Sequence, residues 1–339
     1  MYDRVCSFRT FWDNTCNMTP DCRREESMIH TRMRFPCVLF FTATLVVLSL
    51  STFSAGGSTR RSPLAGSWYP EDASALKKMV RTYLNNANPP RLSGHVIGLI
   101  CPHAGYRYSG QAAAYGFKLL EGKLYDRVLL IGPSHHERFH GLGISAYDAY
   151  ETPLGPVPVD KGAIDQLARC PLFRPQPAAE APEHSLEMQL PFLQLTLKRF
   201  AIVPIIVGQL DDHDCAQAAE QLRSLITDRT LILISSDFTH YGRRFGYLPF
   251  TDAIKQRLTN LDGGAVETIL AKNVERFNNY IQKTGSTICG SRPIALLLRL
   301  LPETAAGTLL TYYTSGDLNG DYSSTVSYAA IAFCEASPK

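Results

Sequence analysis

Four short, continuous apolar runs constrain this chain most: Val96 to Cys101, Arg127 to Gly132, Ala201 to Gly208 and Thr230 to Ser235. A run of this length without polar alternation reads as a strand buried on both faces, not as one with a wet side. Segments of helical spacing separate them. They are Gln111 to Leu120, Ser185 to Lys198 (apolar at Leu186, Leu190, Phe192, Leu193 and Leu197), Asp212 to Ile226, Asp252 to Gln282 and Ser291 to Leu301. The Pro/Gly-rich stretch Tyr150 to Asp160 predicts a loop or hairpin, and two more strands, Thr308 to Thr314 and Val326 to Phe333, close the chain. Strands alternating with helices predict an α/β fold, a central mixed sheet covered by helices on both faces. With no internal repeat or low-complexity linker after residue 60, one domain over 62–336 is expected.

The first 60 residues stand apart. Phe35 to Ala55 carries no charge, follows Arg32 and Arg34, and precedes the small residues Ser54 to Ser58. That is the pattern of a signal peptide or a membrane anchor, expected to place the domain in the cell envelope; the alternative is a cytoplasmic protein. The membrane would be met only through this segment. Composition bounds the rest: 45% hydrophobic and 19% charged residues are globular values, and a net charge of +3 with no basic stripe argues against nucleic acid as a partner. The nine cysteines include no CxxC pair, so no zinc ribbon or thioredoxin-like motif is expected, and most are read as small buried apolar residues.

The polar clusters occupy equivalent places. PHAGY follows the first apolar run, PSHH the second, and SSDFTH the fourth. In α/β sheets ligands gather beyond the carboxyl ends of the strands, so His103, His135 and His240 are expected at one edge. Neutral imidazole is the commonest protein metal ligand. Cys289, in TICGSRPI just before a helix, is expected to have a lowered pKa and to supply a thiolate. Two imidazoles and a thiolate suit iron(II), copper or zinc and disfavour magnesium or calcium. Asp237 and His240, three apart, are candidates to orient a ligand or handle protons. His184, His136 and Tyr106 are placed beside the site, touching ligands or substrate, whereas Ser185 and Glu187 read as a helix cap with its capping-box acid. No GxGxxG, Walker, GxSxG or HExxH motif occurs, so no organic cofactor is expected.

The motifs GSWYP, PHAGY, GPSHH, EHSLEMQLPFL, SSDFTHYG, TICGSRPI and SSTVSYAAIAF, spread over roughly residues 62–336, resemble those of the Memo family. Its microbial members are known as protein B of the Amme–Memo–radical-SAM system. The resemblance implies the fold of class III extradiol (LigB-type) dioxygenases and metal binding by His103, His135 and Cys289. It also implies site roles for Asp237 and His240, and a functional link to Amme-domain and radical-SAM proteins. Cysteine stands where the dioxygenases have a glutamate ligand. Animal members are described as copper- or iron-binding redox proteins.

Three activities fit these residues. The first is a metal-dependent, dioxygenase-like redox enzyme holding iron(II) or copper (alternatively zinc), with His240 as acid/base. The second is a non-catalytic protein that binds a metal, small molecule or peptide in the same crevice. The third is a hydrolase using Cys289 as nucleophile.

Overall fold

The computed structural model describes residues 57–335. The apolar segment Phe35 to Ala55 lies outside the described residues, and among those described no helix is long and apolar enough to cross a membrane. The strands run β1 (Thr59–Arg60), β2 (His95–Cys101), β3 (Arg127–Pro133), β4 (Leu142–Ile144), β5 (Ala149–Thr152), β6 (Gly155–Pro158), β7 (Phe173–Pro175), β8 (Ala201–Val207), β9 (Thr230–Ser235), β10 (His240–Gly242), β11 (Ala306–Thr314) and β12 (Ser324–Glu335). The helices are α1 (Ala73–Asn86), α2 (Tyr106–Lys118), α3 (Lys161–Leu167), α4 (Pro177–Glu180), α5 (Leu190–Thr196), α6 (Asp212–Arg223), α7 (Ile254–Leu270), α8 (Val274–Thr284), α9 (Ser291–Leu300) and α10 (Ser315–Asn319).

The main sheet has the order β10-β12-β2-β9-β3-β8-β4-β7, with β11 also paired to β12. Its centre, β2-β9-β3-β8, is parallel, and β12 and β4 flank it antiparallel. The sheet is therefore mixed, as expected. β9 inserts between β2 and β3, which places Ser235 between the ends of the strands that precede His103 and His135. Both faces of β2 are covered. A side chain at Gly98 would meet Leu297 of α9, while Leu99 and Cys101, on the opposite face, pack against Gly116 of α2. β5 and β6 form the expected hairpin, joined by β1 in a small separate sheet.

Helix identity follows from local pattern. Leu76, Val80 and Leu84 recur every fourth residue and bury one stripe of α1, and the Asp72 carboxylate caps it by accepting from Ala75 N–H at 2.7 Å. Three expectations shift. The second helix starts at Tyr106 instead of Gln111. The helical stretch from Asp252 splits where Lys272 takes a positive φ and Asn273 caps α8. The segment from Ser185 enters α5 only at Leu190, through a 3-10 turn at Glu187–Gln189, because Pro191 fits only a helix's first turn.

Candidate metal centre

His103 sits in the turn between β2 and α2, buried. Its backbone N–H donates to Asp237 Oδ1 at 2.8 Å, and Ala104 N–H donates to the same oxygen at 3.3 Å. Asp237 thus carries the turn that presents the imidazole. Ser235 Oγ donates its single proton to the carbonyl of Ser185 at 2.5 Å and accepts from Gln189 Nε2 at 2.7 Å. Towards His103 Nδ1, 2.9 Å away, that hydroxyl can only accept. His103 is therefore protonated on Nδ1, and its Nε2 lone pair faces Cys289 Sγ at 3.3 Å.

His135 follows β3. Both its backbone N–H and Nδ1 lie 2.8 Å from the Glu183 carboxylate. Burial opposes ionisation of Glu183, but the hydrogen bonds it accepts from His135 outweigh it and hold the carboxyl far below its usual range. An ionised Glu183 keeps the proton on Nδ1 and leaves His135 Nε2 as the free donor, the carboxylate–histidine pairing typical of metal ligands. Burial also keeps His103 neutral, pushing its pKa well down, and pushes His184 down to about 3. His184 stacks on His135 with ring centroids 4.1 Å apart and rests against Trp68 at 4.7 Å.

Cys289 comes from the other side of the sheet, at the entry to α9. Gly290 allows it to approach, since a β-carbon there would lie 2.4 Å from Ser236 Cβ. Sγ accepts from Asp237 N–H at 3.2 Å. The lowered thiol pKa expected from the helix start does not occur: burial, and then the charge of Asp237, push it well up. Two backbone-derived effects work in the predicted direction but are smaller. Metal binding displaces the proton from such a thiol.

One ligand atom each from His103, His135 and Cys289 lie within 4.8 Å of one another, close enough to share an ion. The donor set fits a transition metal: two imidazole lone pairs of fixed tautomer and a soft sulfur. Beside it opens a cavity of about 650 Å³, lined among others by Trp68, His184, Asp237, His240, Phe245 and Tyr328. His240 opens β10, so it stands at a strand start and not in a loop. Its Nδ1 faces two carbonyls, Phe238 O at 3.0 Å and Thr287 O at 3.2 Å, and so bears the proton, leaving Nε2 without a partner.

Other expected neighbours lie elsewhere. Tyr106 is buried in the core, packed on Tyr69 and Phe192, with its hydroxyl donating to Met188 O at 2.7 Å; it does not line the cavity. His136 is exposed, its ring centroid 6.0 Å from that of His184. The capping box at Ser185 and Glu187 is absent. Glu187 instead binds Arg60 at 2.7 Å in a buried ion pair, and Ser185 Oγ donates to Pro133 O. Sequence reasoning gave no site role to Glu183, Gln189 or Ser235. Glu183 precedes His184 in EHSLEMQL, but no spacing reveals that it holds His135, 48 positions away.

An α/β sheet whose carboxyl edge gathers two histidines and a cysteine defines a protein with a candidate transition-metal centre. The chain belongs to the Memo family: the model described as Memo-like protein matches residues 60–332. The memo-1 homolog of Caenorhabditis elegans is 36% identical over 298 residues, covering 84% of each chain. MEMO1 of Xenopus tropicalis and of Homo sapiens are 33% and 30% identical over 288 residues, covering 80% of this chain and 96% of theirs. Among solved structures, an uncharacterized protein, JW3007, from Escherichia coli K12 matches with a TM-score of 0.46 and 13% identity, over 70% of this chain and 99% of that one.

Proposed function

We propose that this protein is a metal-dependent redox enzyme of dioxygenase-like type, holding iron(II) or copper, with zinc as the alternative, on His103 Nε2, His135 Nε2 and Cys289 Sγ. The observation that carries the reading is the convergence of three donor atoms within 4.8 Å, together with hydrogen bonds that leave both imidazole lone pairs free for the ion. Iron or copper bound there would supply Lewis acidity and one-electron chemistry, and zinc Lewis acidity alone.

The chain's own groups account for the remaining tasks. The cavity of about 650 Å³ admits a small molecule or the side chain of a peptide, with Trp68, Phe245 and Tyr328 as apolar walls. His240, its Nδ1–H held by two carbonyls, offers Nε2 as the base for a substrate proton. Asp237 acts by position: its Oδ1 fixes the His103 turn. The thiol-nucleophile reading loses ground, because burial pushes the Cys289 pKa up where a nucleophile needs it down.

Metal content of untagged protein, followed by oxygen uptake with catechols, tests the proposal. One equivalent of iron or copper with substrate-dependent oxygen uptake supports it. Full metal occupancy without turnover would make this a binding protein, and absence of metal would remove the centre.

A further inference from the structure

A second cavity, of about 380 Å³, is lined by Cys289. It shares no lining residue with the histidine cavity. Ser134 and Glu137 to Phe139 after β3, Val207 to Gln209 at the end of β8, and the first turn of α9 form its walls. Those walls are built. Ser134 Oγ donates to Glu137 O at 2.6 Å, and Gln209 N–H donates to Phe139 O at 2.7 Å, which locks the two segments together.

The charge of this cavity is the informative part. Two guanidiniums, Arg138 and Arg292, line it against a single carboxylate, Glu137. Among the described residues neither arginine has an acidic group within 4.0 Å, although arginines elsewhere on the surface are paired, Arg229 with Asp126 and Arg257 with Asp252. α9 adds no free donor row. No acidic residue stands in its first turn, but Gly290 N–H already donates to Ser236 Oγ and Ser291 N–H to Ile288 O, and Pro293 has no N–H, so the charge of the cavity comes from its two arginines.

We propose that this cavity is an anion-binding site that takes a small carboxylate or phosphate and seats it against the sulfur of Cys289. Two forked donors match the planar or tetrahedral oxygens of such an anion. The site rests on the cavity and its charge and not on the metal assignment, so either reading can fail without the other.

Charge-selective alkylation of Cys289 in the full chain, read by mass spectrometry of its peptide, tests this. Iodoacetate and iodoacetamide react with the same sulfur and differ in charge. The iodoacetate-to-iodoacetamide rate ratio at Cys289 is expected to exceed that of a free small thiol. Arg138→Gln and Arg292→Gln should each lower it roughly two- to fivefold, the range of an exposed charge pair. Arg244→Gln, in the histidine cavity, should leave it unchanged. A ratio equal to that of the free thiol, or one lost only in Arg244→Gln, overturns the proposal. Calorimetry with inorganic phosphate and with succinate at fixed ionic strength gives a readout independent of thiol reactivity. Binding of either, retained in Cys289→Ser and lost in Arg138→Gln/Arg292→Gln, supports the site and distinguishes the two anions. Binding of neither, or binding indifferent to both arginines, overturns it.

Discussion

A single hydroxyl decides which nitrogen of His103 is available. Ser235 Oγ spends its proton on Ser185 O and so must accept from Nδ1. Ser235→Ala removes that acceptor and lets the ring populate the wrong tautomer. Metal affinity, measured by competition with a chelator, is expected to fall about 10–100-fold, the usual loss for a group that orients a ligand, and Ser235→Thr should restore most of it. Cys289→Ser should cost more than Ser235→Ala in the same assay, because a serine hydroxyl stays protonated where the thiol can ionise. Equal affinity in wild type and Cys289→Ser would exclude the sulfur as a ligand.

Between strands, the loop from Glu180 to Glu187 depends on an arginine far from it in sequence. Arg60, the second residue of β1 and paired there with Tyr150 of β5, donates to the carbonyls of Glu180, Ala181 and Glu183 and pairs with Glu187. It thereby holds the segment that presents Glu183 and His184. Arg60→Met leaves a buried carboxylate without its partner, a change that typically costs about 3–5 kcal/mol. Urea denaturation should show that loss, accompanied by weaker metal binding. A variant with unchanged stability would mean that the loop holds itself. A second element shapes the opposite wall. Thr314 and Asp317 form the capping box of α10, whose Ser315 and Asn319 line the histidine cavity. Burial works against ionised Asp317, but Lys255, Tyr322 and Thr314 hold its pKa well below the ordinary carboxylate value. A depressed folded-state pKa stabilises above the unfolded value and loses that contribution as pH falls through the folded one. Stability should therefore decline below about pH 4, and Asp317→Asn should flatten that part of the profile. An unchanged acid limb would place the acid sensitivity elsewhere.

At the scale of the molecule, the centre joins strand ends and a helix start that are remote in sequence. An ion bound there stabilises the folded chain and not the unfolded one. At a hundredfold excess over Kd the gain is about 2.7 kcal/mol, which for a domain of this size corresponds to a rise in Tm of roughly 4–5 °C. Chelation should reverse it. His135→Ala/Cys289→Ser should melt at one temperature with or without metal. A metal-dependent shift that survives in that variant would place the ion elsewhere.

What the sequence determined by itself were the elements and their class. Runs such as VLLI and LILI are apolar at every position, so they can only lie between two helical layers, and that dictates the mixed α/β sheet. The place of His103 and His135 directly after such runs was enough to put both at the sheet's carboxyl edge, and the ordered motifs were enough to indicate the family. Only the tertiary structure decided the strand order that seats β9 between β2 and β3, the tautomers set by Ser235 and Glu183, and the core position of Tyr106. It also reversed the expected acidity of Cys289 and turned Glu187 from a helix cap into the buried partner of Arg60. The physical reason is common to all of these. Burial and hydrogen-bond partnership depend on what arrives from 50 to 200 residues away, and local pattern holds no record of it.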